Sequence, residues 1–161
     1  MWLRIAVGFR MIEVLLVEDD PYKEKGLREA MLEILHEPKT ALATSVQTAV
    51  TAIRLRSYKL VVLDMALPSH DRSLGNGNPR QMPSGGLEVL LNLNEKKRPD
   101  AVIIVTQYPE IEINNQLVPI DQVPIFLSAF LDVQLKGVIF YDEFDPGWRK
   151  EFQTILRGCF A

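Results

Sequence analysis

Three consecutive acids, Glu18, Asp19 and Asp20, follow the apolar run Ile12 to Val17, and a fourth, Asp64, closes a second run, "KLVVLD". A hydroxyl, Thr106, closes a third, "DAVIIVT" over 100–106. Crowded carboxylates repel and raise one another's pKa, so acids gathered at strand ends call for a cation among them. If the three runs are neighbouring strands, Glu18, Asp19, Asp64 and Thr106 share one rim, and the acids among them can hold a divalent ion together. Other chemistry is scarce. Cys159 is the single cysteine, which excludes an internal disulfide and a thiolate zinc site. His36 and His70 are too few and too far apart for a metal cage and are expected at the surface.

The elements that must position these residues alternate between strand and helix. Near-continuous apolar runs at 12–17, 59–64, 100–106 and 137–141 read as strands covered on both faces, with a weaker strand at 40–44. Between them lie helical stripes: Leu27, Ala30, Met31, Ile34 and Leu35 after Pro21; Val46, Ala49, Val50 and Ile53; Leu87, Leu90, Leu91 and Asn94. Pro124 starts a further stripe of Leu127, Phe130, Leu131 and Leu135, and Trp148 to Cys159 forms the last. Five strands alternating with helices imply an α/β, doubly wound parallel sheet with helices on both faces. Ligands in such sheets gather beyond the carboxyl ends of the strands.

With 161 residues, 47% hydrophobic and 24% charged, the chain reads as a single domain over 11–161 with a core of its own. Residues 1–10 read as an N-terminal extension, since "MIEVLLVEDD" is a self-sufficient beginning. Two stretches interrupt the rhythm and are expected as inserted loops: 69–86, rich in Gly, Pro, Asn and Ser, and 107–123, with three prolines nearby, irregular or a short strand or turn. A net charge of −3 without a basic stripe argues against nucleic acid, and no apolar run is long enough for a membrane span. A cytoplasmic setting fits. Asp20 is expected at a helix start, where the dipole favours an acid.

Taken together, "LLVEDDP", "VVLDMALP" and "VIIVT" resemble the receiver domain of two-component response regulators, from about Met11 to Leu156. The resemblance implies a flavodoxin-like sheet of order 2-1-3-4-5 and no enzyme activity of the ordinary kind. It implies that Asp64 is the phosphoacceptor and that magnesium is held by Asp19 directly, by Glu18 mainly through water, by Asp64 and by the Ala66 backbone carbonyl. Thr106 would be the switch hydroxyl that turns inward onto a phosphoryl oxygen. The implied partners are a histidine kinase or phosphotransfer protein upstream in a phosphorelay and a protein partner downstream. A homodimer through the fourth and fifth helices would also fit. With Ala161 the last residue given, output is expected through contacts rather than a DNA-binding effector.

One departure stands out. Receivers usually end the fifth strand on a lysine and a proline, and here "GVIFYDEF" puts Tyr141 and Asp142 in those places. Lys136 lies before that strand, at its opposite end, and is not expected to substitute. Val138 takes the usual aromatic switch position. These changes support an alternative, a degenerate pseudo-receiver that binds protein without phosphorylation. A phosphohydrolase with an aspartyl nucleophile is disfavoured, because Ala66 stands where the second acid would be. The "GNGNP" run lacks the Lys-Ser/Thr of a phosphate loop.

Overall fold

The computed structural model describes residues 11–71 and 77–160, so the expected extension over 1–10 lies outside the described residues. Five parallel strands form the main sheet: β1 (Glu13–Val17), β2 (Lys39–Ala43), β3 (Leu60–Leu63), β6 (Ala101–Thr106) and β9 (Gln134–Phe140). Their spatial order, β2-β1-β3-β6-β9, is 2-1-3-4-5 when only these strands are counted. Successive side chains of a strand point to opposite faces, and the sheet is accordingly buried twice. Leu15, Val17, Val61, Leu63, Val102 and Ile104 pack beneath α2 (Val46–Leu55), α3 (Gly85–Glu95) and α4 (Val123–Ser128). Val14, Leu16, Leu60, Val62, Ile103, Val105 and Ile139 pack beneath α1 (Pro21–Leu32) and α5 (Gly147–Phe160).

The two interruptions are more ordered than expected. Residues 67–82 contain the antiparallel pair β4 (Leu67–Pro68) and β5 (Gln81–Met82), so the 69–86 stretch also supplies the start of α3; residues 72–76 lie outside the described residues. The second stretch folds as a two-residue hairpin, β7 (Glu110–Ile113) and β8 (Gln116–Pro119). Asn114 and Asn115 turn it at φ 52° and 62°, the positive values a tight hairpin turn requires and asparagine tolerates. Alternation makes Ile111 and Ile113 buried and Glu110 and Glu112 exposed. Of the readings open for this stretch, irregular or a short strand or turn, the strand period of "EIEI" prevails.

Several helix stripes shift. α1 stops at Leu32, so Ile34 and Leu35 lie in the following turn, although Leu35 remains buried. α3 buries Val89, Leu90 and Leu93 and leaves Leu91 exposed, because its start at Gly85 rotates the face. α4 is one turn and a half; Leu135 belongs instead to β9. Lys136 lies within β9, exposed, at a register shift where Leu135 and Gly137 pair with consecutive residues of β6. Beside that shift, a Cβ at Gly137 would stand 2.5 Å from Ile155 Cδ1 of α5.

Candidate functional site

The sheet ladder continues past the strands into the acids. The Glu18 N–H donates to the Ala43 carbonyl and the Asp64 N–H to the Val17 carbonyl, each at 3.0 Å, so the two carboxylates leave adjacent strands at the same edge. Glu18 and Asp64 are buried and Asp19 is exposed, yet one oxygen from each lies within 4.8 Å of the others. Asp20 takes the expected place as N-cap of α1. Its Oδ1 accepts from the N–H groups of Tyr22 and Lys23 at 2.8 and 3.3 Å, and Pro21 follows in the first turn.

This cap sets the rotation of α1, and the rotation brings in a residue that the sequence reading missed. Lys23 is fully buried. Its Nζ lies 2.8 Å from Glu18 Oε2 and 3.2 Å from Asp64 Oδ1, and donates to the Val105 carbonyl at 2.8 Å. It also stands 5.7 Å from the centre of the Tyr141 ring. The signal was available: Lys23, Leu27, Ala30 and Met31 form one buried face at i, i+4, i+7 and i+8. An apolar stripe whose first position is lysine, three residues after an acidic triplet, places the ammonium under the acids.

Electrostatics follow from burial. Glu18 is pushed up to about 7, chiefly by desolvation and further by Asp64, with Lys23 opposing. Asp64 is raised by burial, again against Lys23 and the Met65 N–H that donates to its Oδ1 at 2.8 Å. Burial also raises Asp19. One ammonium among three carboxylates leaves a formal deficit of two positive charges. Glu18 Oε1 accepts from the Asp20 N–H at 2.9 Å, and Oε2 is ion-paired with Nζ. A donor set of three carboxylates whose charge one ammonium does not balance suits a hard divalent cation such as magnesium.

Thr106 and Ala66 border one cavity of about 470 Å³, together with Met65, Met82, Tyr108 and Leu117. Thr106 is buried and its Oγ1 accepts from the Tyr108 N–H at 3.1 Å. Its carbonyl receives the Tyr141 N–H at 2.7 Å, which fixes Tyr141 beyond the end of β9. Asp142, next along, turns into a local loop in which its Oδ1 accepts from the Phe144 N–H. Of the histidines, His36 is exposed, as expected. His70 is half-buried, with Nδ1 3.0 Å from Ser69 Oγ and Nε2 3.1 Å from the Gly77 carbonyl.

No family model matches the chain. It is, however, 33% identical over 151 residues to the Detocs response regulatory protein DtcB of Vibrio alginolyticus, covering 90% of this chain and 99% of that one. The chain belongs to the response regulators. Solved receiver domains share the fold at lower identity. The phosphorylated cyanobacterial phytochrome response regulator RcpA matches with a TM-score of 0.62 at 16% identity, covering 94% of this chain and 95% of that one. The receiver domain of a Luxo repressor protein from Vibrio parahaemolyticus matches at 0.58 and 17%, over 92% of each chain. The Mn(2+)-bound form of response regulator Rcp1 also matches at 0.58 and 17%, over 89% and 91%. In this response regulator Tyr141, just beyond the end of β9, is buried, and the ammonium beside Asp64 belongs to Lys23 of α1. Among the described residues no helix is long and apolar enough to cross a membrane.

Proposed function

We propose that this response regulator accepts a phosphoryl group on Asp64 in the presence of magnesium and changes its protein contacts in consequence. The observation that carries the reading is the meeting of Glu18, Asp19 and Asp64 oxygens within 4.8 Å at the ends of adjacent strands. Asp19 and Asp64 would hold the ion, with Glu18 through water and the Ala66 carbonyl as a further oxygen. Bound there, magnesium supplies charge neutralisation for an anionic group approaching an anionic pocket.

The chain's own residues do the rest. The Met65 N–H and Lys23 orient the Asp64 carboxylate through Oδ1. Thr106, on the wall shared with Ala66, would exchange its bond to the Tyr108 N–H for a phosphoryl oxygen, and so reshape the cavity between the β4–β5 and β7–β8 hairpins. The donor is a histidine kinase or phosphotransfer protein, the receiver of the output is another protein, and the exchange takes place in the cytoplasm. The similarity to a response regulatory protein, and to structures of phosphorylated and manganese-bound receivers, supports this assignment.

Incubation with magnesium and acetyl phosphate, read by intact mass, tests it. A single phosphoryl adduct that Asp64→Ala abolishes is the expected result; no adduct, or one that survives the substitution, overturns it. A second reading, binding of a partner without phosphorylation, is favoured by Tyr141 at the strand end and by the exposed Ile125 and Phe144. Partner capture unchanged by Asp64→Ala would select it.

A further inference from the structure

We infer that Lys23 is a catalytic residue of this site: its ammonium, delivered from α1, is the fixed positive charge beside which Asp64 takes up a phosphoryl group. The inference rests on the phosphoacceptor reading above and names a residue that neither the family pattern nor the strand ends supply.

The position of Nζ carries it. The ammonium has three oxygens within 3.2 Å: Glu18 Oε2 beyond β1, Asp64 Oδ1 beyond β3 and the Val105 carbonyl at the end of β6. It therefore sits where the three central strands end. The Val105 carbonyl takes a hydrogen bond from the ammonium, and the two acids share its charge. Both described contacts of the Asp64 carboxylate, from Lys23 and from the Met65 N–H, fall on Oδ1. Oδ2 is left to attack.

With acetyl phosphate as donor, Asp64 Oδ2 forms a bond to phosphorus while the bond from phosphorus to the bridging oxygen breaks, and acetate leaves with the electron pair. The attacking carboxylate carries no proton, so none moves. The charge of Asp64 passes to the phosphoryl oxygens, which lie one bond further out and within the field of the same ammonium.

Tyr141 accounts for the exchange of positions. Its buried ring lies under Nζ at 5.7 Å from the centroid, close enough for a cation–π contact. A lysine there would set a second ammonium against the first. A tyrosine backs the ammonium of Lys23, stacks at 4.8 Å on Trp148, and leaves the pocket with one cation.

A purely structural counter-ion would change stability but leave the labelling rate of folded protein alone, so the rate is the test. Wild type, Lys23→Met and the double variant Lys23→Met/Tyr141→Lys are incubated with acetyl phosphate and magnesium, and the adduct is followed by mass with the folded fraction measured by circular dichroism. Lys23→Met is expected to label about 10- to 100-fold more slowly per folded molecule, the equivalent of one hydrogen bond to a charged group. The double variant, with the cation returned from the other side of the pocket, is expected to recover most of that loss. If Lys23→Met does not fold, Lys23→Met/Glu18→Gln removes the ammonium together with one counter-charge and is compared with Glu18→Gln alone. Labelling of the folded Lys23 variants within about threefold of their reference overturns the inference while leaving Asp64 as phosphoacceptor. A double variant that folds yet stays as slow as the single one also overturns it. A wild type that takes no label removes the phosphoacceptor reading, and this inference with it.

Discussion

The Glu18 carboxylate and the Lys23 ammonium, five residues apart in sequence, face each other at 2.8 Å with both side chains sealed from solvent. Most of the site's physical behaviour follows from that pair, because two buried acids share its one cation. Removing one partner of such a pair leaves uncompensated charge in the interior, which costs roughly 3–5 kcal/mol. Glu18→Gln keeps the shape and removes only charge, so it leaves Asp64 as the main partner of Lys23.

The pair makes stability depend on pH in a definite direction. Glu18 has an ordinary value of 4.5 and is raised to about 7 in the fold. Between those values the folded protein holds a proton that the unfolded chain has released. Stability is therefore full below about pH 4.5 on this account and is lost as pH rises through about 7. The upward displacement of Asp64 acts with the same sign. Urea denaturation without divalent ions at pH 5 and pH 7.5 is expected to show a fall of about 1–3 kcal/mol, and Glu18→Gln is expected to flatten it. Constant or rising stability over that interval would contradict the burial account.

Magnesium is expected to oppose the fall. Ion binding needs the carboxylates ionised, so affinity should increase with pH across the same interval and binding should release protons. Asp19 is the exposed member of the three acids. Asp19→Asn is expected to weaken magnesium binding about tenfold while shifting stability by no more than about 0.5 kcal/mol, the range for surface substitutions. Isothermal calorimetry with parallel melts separates the two effects. Equal affinity in the variant would exclude Asp19 as a ligand.

Gly86 offers a way to disturb Asp64 from behind. A Cβ at that position would lie 2.6 Å from the Asp64 carbonyl oxygen and 2.9 Å from Met65 Cα, both backbone atoms that cannot swing away. Gly86→Ala is expected to cost about 1–3 kcal/mol through overpacking and to lower magnesium affinity as Asp64 and Met65 shift. Gly158, exposed in α5 with nothing within 4 Å of its added carbon, is the matched control. Gly158→Ala is expected to raise stability by about 0.5–1 kcal/mol. Paired thermal melts decide both.

At the opposite end of the strands, Arg98 clasps Asp100 through Nε and Nη2 at 2.9 Å each and also bonds the carbonyls of Ile53 and Arg56. Asp100, buried, receives the Tyr58 N–H as well. Arg98→Met is expected to cost about 3–5 kcal/mol by orphaning a buried carboxylate. Magnesium affinity measured on the folded fraction should not change, because the clasp lies before β6 and the acids lie after β1 and β3. A change in affinity would mean that the two ends of the sheet are coupled.

The sequence spoke most clearly where one physical demand acted alone. Val14 to Val17, Leu60 to Leu63 and Val102 to Val105 had to be strands because only a doubly covered sheet buries such runs, and their ends carried Glu18, Asp64 and Thr106. Where demands competed, the reading failed. Leu135 fits a helical stripe, yet pairing with Val102 draws it into β9. Between Glu110 and Pro119 the prolines leave open whether the stretch is irregular or a short strand or turn, and cross-strand pairing makes it a hairpin. Lys23 was overlooked because lysine is almost never fully buried unless paired, and its partners could be identified only once the acids were seen to be internal. Tyr141 reads in the sequence as a loss of charge, and only the structure shows the Lys23 ammonium 5.7 Å from its ring centre.

The cap on α1 makes the stretch from Glu18 to Lys23 behave as a measured rod. Asp20 clamps the first turn and Pro21 fixes its first dihedral, so the rotation at which position 23 enters the interior is set by counting residues. Each residue of an α-helix advances about 100° around the axis. Adding or deleting one residue between Asp20 and Lys23 would swing the ammonium from beneath the strand ends to the flank of the helix, and put Tyr22 or Glu24 in its place. The length of this short segment thus decides which side chain lies beneath the strand ends.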